Sequence, residues 1–181
     1  MSRVVTLDPA TLSDRQREVY EAIASGPRGG VRGPLAVWLE RPELADHAQA
    51  LGRYCRYDSS LPPRLSELAI LVTARHWSAE YEWQAHKPHA LKAGLSLAIV
   101  EAIRDGAEPP FEAEDEAATY AFATALLATK RVPEPVWTRA VAALGREGVV
   151  DLTGVLGYYG LISMTITAFE VPAPDPAAPE M

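Results

Sequence analysis

A helix-forming run that is apolar on every side, yet carries one carboxylate, constrains this chain more than any other feature. From Arg64 to His76, the residues Leu65, Leu68, Ala69, Ile70, Leu71, Val72 and Ala74 surround the helix axis rather than forming a stripe. A helix apolar all round has to be buried. The segment is therefore expected at the centre of the fold, with other helices packed about it. Glu67 lies inside that run. An unpaired buried charge is costly, so Glu67 needs a partner. One reading is an ion pair with Arg64 or Arg75, or a bond to a helix terminus. The other is a carboxyl with a raised pKa that carries protons. Spacing alone favours the ion pair.

A second helix is predicted from Ser78 to Lys92. Glu82 and His86 are four residues apart and share a face. His89 is a further turn along the same side. A carboxylate placed this way can hold an imidazole in one tautomer and raise its pKa. Pro88 has no amide hydrogen for the carbonyl of Gln84, which predicts a kink and a free backbone acceptor near His86. Glu82, His86 and His89 also offer one oxygen and two nitrogens to a metal. Their two histidines are three apart with Pro88 between them, which fits a zinc helix poorly, so no metal is expected. His76 reads as a helix-end residue and His47 as a hydrogen-bonded core histidine. Trp77, Trp83 and Trp137 read as core or interface aromatics. Of Tyr158 and Tyr159, one could line a pocket.

Helical periodicity extends along most of the chain. Leu44, His47, Ala48, Leu51 and Cys55 recur at three- and four-residue steps and predict one buried face. Val136, Trp137, Ala140, Val141 and Leu144 do the same, as do Val19, Tyr20 and Ile23. Residues 115–130 are rich in alanine, a strong helix former. Ser13-Asp14 opens the first helix, and Pro62-Pro63 precedes the central one. Gly94 follows the second central helix, where a left-handed cap is expected. Ser96 and Gly106 bound a short helix, and Gly145 and Gly148 separate the last two. No segment alternates with period two, so the prediction is an all-α single domain. Residues 1–33 supply an N-terminal helix and a Gly/Pro loop, which at 26–34 could approach a ligand or a neighbouring subunit. Residues 34–172 form the body. Residues 173–181 are a proline-rich tail, expected to be extended or disordered.

Bulk properties narrow the function. A chain of 181 residues can bury a substantial single core. A net charge of −7 argues against a nucleic-acid surface, which needs clustered Lys and Arg. The acidic stretch Glu108 to Glu116 reads as a solvated loop leading into a helix N-terminus. Cys55 is the sole cysteine, so neither an intrachain disulfide nor a cysteine-cluster metal site can form. A cytoplasmic location is expected, and the first residues lack the apolar core of a signal peptide. Val149 to Phe169 approaches membrane-spanning length. Asp151 and several threonines and glycines interrupt it, so it reads as a buried core or interface helix and no membrane is expected.

Four stretches together resemble the carboxymuconolactone decarboxylase family, which shares a superfamily with alkylhydroperoxidase D-like proteins. They are residues 61–71 (Leu-Pro-Pro-Arg-Leu-Ser-Glu-Leu-Ala-Ile-Leu), 79–86 (Ala-Glu-Tyr-Glu-Trp-Gln-Ala-His), 93–96 (Ala-Gly-Leu-Ser) and 157–172. The resemblance spans roughly residues 34–172. It implies an orthogonal helical bundle of alkylhydroperoxidase D-like type. It also implies a homo-oligomer (dimer, trimer or hexamer) with pockets near subunit interfaces. The peroxidase branch uses Cys-x-x-Cys-x-x-x-His with an upstream glutamate. Laid on this chain, that pattern puts the cysteines at Ala79 and Glu82, the histidine at His86 and the glutamate at Glu67. A dithiol cycle needs two thiols, and Cys55 alone cannot supply them.

The acid–base set Glu67, Glu82 and His86 remains, as in the decarboxylase branch. The resemblance then implies a cofactor-free lyase acting on a small carboxylated lactone. His86 would be the general acid, Glu82 its orienting partner and Glu67 the relay. Arg64, Arg75, Lys87, His89 and Tyr81 are the candidates for substrate binding. An isomerase or hydrolase of a related lactone or enol would need the same groups. A non-enzymatic oligomeric helical protein would instead keep Glu67 and His86 as buried structural polars.

Overall fold

The computed structural model describes residues 2–4, 8–27 and 29–181; residues 1 and 5–7 of the N-terminal segment, and residue 28 in the Gly/Pro loop, lie outside the described residues. All regular elements among the described residues are helical. They are α1 (Asp14–Ala24), α2 (Pro34–Trp38), α3 (Pro42–Arg53), α4 (Pro63–Trp77), α5 (Glu80–Lys92), α6 (Leu97–Asp105), α7 (Glu114–Thr129) and α8 (Glu134–Phe169). A π-turn over Tyr54–Asp58 extends α3, and a single 3-10 turn precedes α1.

The all-round apolar helix is the hub. α4 packs against α5, α7 and α8, and Leu65, Leu68, Ala69, Ile70, Leu71 and Ala74 have almost no solvent exposure. Burying each of the larger aliphatic side chains contributes about 1.5–3 kcal/mol. Pro63 starts the helix and Ser78, in a left-handed conformation, ends it. α5 begins two residues later and folds back along α4, as so short a connection requires. It continues through Pro88 to Lys92 as one helix, as the sequence predicted.

Four expectations are corrected. In α3 the buried face consists of Ala45, Ala48 and Gly52, continued by Cys55 in the π-turn, while Leu44 and Leu51 are about half exposed. Two adjacent stripes carry the same three-four spacing, and the one with small side chains permits the closer approach to neighbouring helices. Gly145 breaks α8 with φ 71° and ψ 168°, but Gly148 lies within the helix. Glu116, expected in solvent, is buried against Arg64.

The fourth correction is the proline-rich tail, which folds back onto α5. Asp175 N donates to Gln84 Oε1 at 2.8 Å, and Gln84 Nε2 donates to the Asp175 and Ala178 carbonyls at 3.1 Å. Glu180 N and Met181 N donate to the Glu80 carboxylate at 2.8 and 3.0 Å. Trp83 Nε1 donates to Glu180, which also pairs with Lys87.

The apolar stretch of α8 is long enough by composition to cross a membrane, yet two thirds of it is buried inside the fold. Leu152, Val155, Leu156, Ile162 and Ile166 face inward, while Val150, Gly157 and Met164 form an uncharged outward face.

Candidate active site

Glu67 and His86 meet across the α4–α5 interface. His86 Nδ1 is 2.7 Å from Glu67 Oε2, and Nε2 is 2.9 Å from Glu82 Oε1. All three side chains are buried. Glu67 comes from the second turn of the apolar helix α4. Glu82 and His86 come from one face of α5, so one imidazole is bracketed by two carboxylates. The partner Glu67 required is thus His86, and neither Arg64 nor Arg75 supplies it.

Burial alone would lower the His86 pKa, since it disfavours the imidazolium. The charge of Glu82 and the hydrogen bonds to Glu67 and Glu82 overcome this and raise it to about 9. His86 is therefore an imidazolium at neutral pH and donates from both ring nitrogens. The Tyr159 ring lies edge-on to it, with centroids 5.1 Å apart. Burial holds the Tyr159 phenol well above its ordinary pKa, so it stays neutral.

Two cavities flank the group. A smaller one, about 170 Å³, is lined by Glu82, His86, Tyr81, Tyr158, Tyr159 and Ile162, and by Gly30, Arg32 and Leu35 from the Gly/Pro loop and α2. A wider one, about 590 Å³, is lined by Glu67, His89, Lys92 and Tyr57. Arg56 lines both. The loop expected to approach a ligand thus covers the His86 cavity. Gly33 lets it do so: its φ is +57°, and a Cβ there would stand 2.5 Å from the Tyr81 ring. Only glycine tolerates this backbone and this contact together.

The remaining candidates divide. Tyr81 lines the smaller cavity, and burial raises its pKa. His89 lines the wider one, 5.9 Å from the His86 ring between centroids, and burial lowers its pKa. Glu82, His86 and His89 do not converge as metal ligands, because both His86 nitrogens already face carboxylates. Arg64, Arg75 and Lys87 line neither cavity. Arg64 pairs with Asp115 at 2.8 Å and with Glu116. Arg75 Nε donates to the Arg104 carbonyl at 2.7 Å, and Lys87 binds Glu180. The cations that do face the cavities among the described residues, Arg32, Arg56 and Lys92, were not singled out from the sequence. Arg32 sits in the Gly/Pro loop that was, but nothing in Tyr-Cys-Arg-Tyr marks Arg56.

Cys55 is buried and its thiol is pushed up to about 11, chiefly by desolvation. It is an unreactive core residue.

A family model for the carboxymuconolactone decarboxylase family matches residues 42–129, which contain Glu67, Glu82 and His86. Over those residues the chain is similar to the carboxymuconolactone decarboxylase family. Solved structures of AhpD-like proteins share its fold. An uncharacterized peroxidase-related protein with an alkylhydroperoxidase AhpD core, from Ralstonia eutropha, superposes with a TM-score of 0.76 at 15% identity, covering 96% of this chain and 93% of that one. An AhpD-type protein of unknown function from Agrobacterium tumefaciens gives 0.70 at 18% identity, covering 80% and 99%. The debrominase Bmp8 gives 0.75 at 14% identity, covering 96% and 92%. No curated protein matches the sequence. At these identities the structural likeness establishes the all-helical fold and leaves the reaction to the site itself.

Proposed function

We propose that this protein is an acid–base lyase that removes CO2 from a small carboxylated lactone without a cofactor. One observation carries the reading: a buried carboxylate–imidazolium–carboxylate chain links two cavities, with Glu82 and His86 at the smaller and Glu67 at the wider. The substrate ring occupies the smaller cavity, and its leaving carboxylate rests against Leu35 and Ile162. Breaking the C–CO2 bond releases CO2 and leaves an electron pair, which delocalises through the ring alkene to the lactone carbonyl. A proton must then reach carbon. Both His86 nitrogens are engaged, so the donor at the cavity is Glu82. His86 passes its Nε2 proton to Glu82, which gives it to carbon, while Glu67 holds the Nδ1 proton and keeps the ring in place; solvent returns a proton through Glu82 to Nε2 once the product has left the smaller cavity. This assigns proton delivery to Glu82 and relay to His86, where the sequence alone suggested that His86 delivers directly. One proton is consumed for each CO2 released.

The uncharged outward face of α8 supports homo-oligomer assembly through Val150, Gly157 and Met164. An isomerase or hydrolase would use the same chain of groups but release no CO2. The test is a panel of carboxylated γ-lactones assayed for CO2 with wild type and Glu82→Gln. Positioned proton transfer is worth about 10²- to 10⁴-fold. The variant should lose turnover on that scale while keeping its helical circular dichroism. Full turnover in Glu82→Gln would remove the carboxylate from the reaction.

A further inference from the structure

We infer that residues 173–181 are a positioning strap: gripping the outer face of α5, they hold its inner face, and with it His86, against Glu67 and Tyr159. The inference rests on the proposed function for its effect on turnover, but not for its effect on the imidazole. The grip comes from one side of α5. Glu80, Trp83, Gln84 and Lys87 share a face by their spacing, and all four bond to the tail. Gln84 takes the Asp175 backbone with both ends of its amide and also reaches the Ala178 carbonyl. The Glu80 carboxylate accepts the Glu180 and Met181 amides, and Gln84 Nε2 steadies it at 2.7 Å. Glu180 accepts from Lys87 and, at 3.2 Å, from the wholly buried Trp83. Glu82 and His86 lie on the opposite side of the same stretch of helix.

This stretch of α5 needs an outside support. Its N-cap, Ala79, offers no side-chain bond to the first amides, and Pro88 gives no N–H to the Gln84 carbonyl. The strap grips the turns between those two weak points. α5 also packs mainly on α4 and only lightly on α8. The tail supplies the missing tie. Val171 is buried and its amide bonds to the Ile166 carbonyl, which anchors the strap at the end of α8. From there it crosses to α5. The two helices are walls of the smaller cavity, with Glu82 and His86 on one and Tyr159 and Ile162 on the other. Pro172, Pro174, Pro176 and Pro179 reduce the freedom that the tail loses on docking. The local bond from Ala177 N to Asp175 Oδ1, at 3.1 Å, shapes its turn.

The consequence for His86 is selective. Glu82 and His89 belong to α5 and travel with the imidazole, so the 2.9 Å contact to Glu82 survives a shift of the helix. Glu67 faces the ring from α4, Tyr159 from α8 and Arg56 from the π-turn. The 2.7 Å contact to Glu67 is therefore the one that a released strap lengthens. Tail residues other than Val171 bury little of themselves, so polar bonds hold the strap and single side chains can undo it. Displacements well under a side chain's length, made far from the reacting atoms, are enough to slow a proton transfer.

The test uses the full chain as wild type, Glu180→Gln, Glu180→Ala and the double variant Gln84→Ala with Glu180→Ala, which leaves only Glu80 to grip. NMR follows the His86 ring through a pH titration and the Trp83 indole N–H through hydrogen exchange; CO2 release from the carboxylated lactones gives kcat and KM. The double variant should free the Trp83 N–H to exchange and lower the His86 pKa from about 9 to about 8. Its kcat should fall about tenfold, with KM changed less than about twofold. Glu180→Ala should fall between. Glu180→Gln keeps an acceptor for Lys87 and Trp83 and should stay within about twofold of wild type. An unmoved His86 titration in the double variant would overturn the strap. With the tail still bound, it would mean that these side chains do not grip it; with the tail free, that the tail adds stability and positions nothing. A wild type that releases no CO2 from any lactone would sink the lyase reading alone, because the His86 titration still decides the strap.

Discussion

Replacing Glu67 with glutamine should remove most of the pH dependence of folding stability between pH 6.5 and 9. The rise of the His86 pKa from 6.5 to about 9 corresponds to about 3 kcal/mol of preferential stabilisation of the imidazolium in the folded state. The sign follows from the direction of the shift. A pKa raised on folding stabilises the protein fully below the unfolded value near 6.5, and that contribution is lost as pH rises through about 9. His76 and His89 are shifted downward by burial and fall below the window, while Cys55, raised from 9.0 to about 11, adds its own loss of stability above about pH 9 that is common to both proteins.

Glutamine at 67 keeps an acceptor for Nδ1 but removes a charge 2.7 Å away. A hydrogen bond to a charged group contributes about 1.5–3 kcal/mol, so the variant should lose about that much at pH 6. The assay is urea unfolding by tryptophan fluorescence from pH 6 to 10 at fixed protein concentration, with the His86 ring followed by NMR. Wild type should lose about 3 kcal/mol across the range and Glu67→Gln less than half of that. A wild-type His86 ring titrating at or below 6.5, or parallel profiles for the two proteins, would refute the electrostatic account of the site.

Two further changes probe the supports of the site. Gly33→Ala puts a Cβ 2.5 Å from the Tyr81 ring at a φ of +57°, so it should cost more than about 1 kcal/mol. It should lower the melting temperature by several degrees; an unchanged melt would mean that the loop does not lock against Tyr81. Deleting residues 173–181 removes the bonds to Glu80, Trp83, Gln84 and Lys87. It should leave the fold intact, cost about 1–2 kcal/mol and raise hydrogen exchange in α5. Unaltered α5 protection would show that the tail contributes nothing there.

The helices were legible because they follow from local pattern; the meeting of Glu67 with His86 was not, since spacing favoured Arg64 or Arg75 and only the family resemblance grouped Glu67 with His86. An all-round apolar helix must be central, and the carboxylate within it must find a partner on a helix packed beside it. Glu82 and His86 share a face by spacing alone. What did not follow depends on tertiary pairing. Arg64, Arg75 and Lys87 are close to the motif in sequence, but helical rotation points them at Glu116, the Arg104 carbonyl and Glu180. Arg32 and Arg56 are distant in sequence and reach the cavity on a loop and a π-turn that carry no periodic signal. Leu44 and Leu51 show the same limit: a stripe and its neighbour have the same period, and only packing decides which is buried. Prolines in the tail predicted an extended or disordered segment, but it folds onto α5 through backbone groups of Asp175, Ala178, Glu180 and Met181 and through the Glu180 carboxylate, which composition does not distinguish from solvated groups.

These placements explain why the centre of the molecule can hold two carboxylates at all. A surface arginine reaching Glu67 would have neutralised it with a fixed charge. An imidazolium does so with a proton that can move. Because Glu67 holds the Nδ1 proton, each transfer from Nε2 toward Glu82 at the smaller cavity leaves a neutral imidazole still in place, and a proton returned through Glu82 after product release restores the charge. That cycle requires the substrate to be shielded from water while carbon is protonated. The Gly/Pro loop, with Gly33 against Tyr81, supplies that cover.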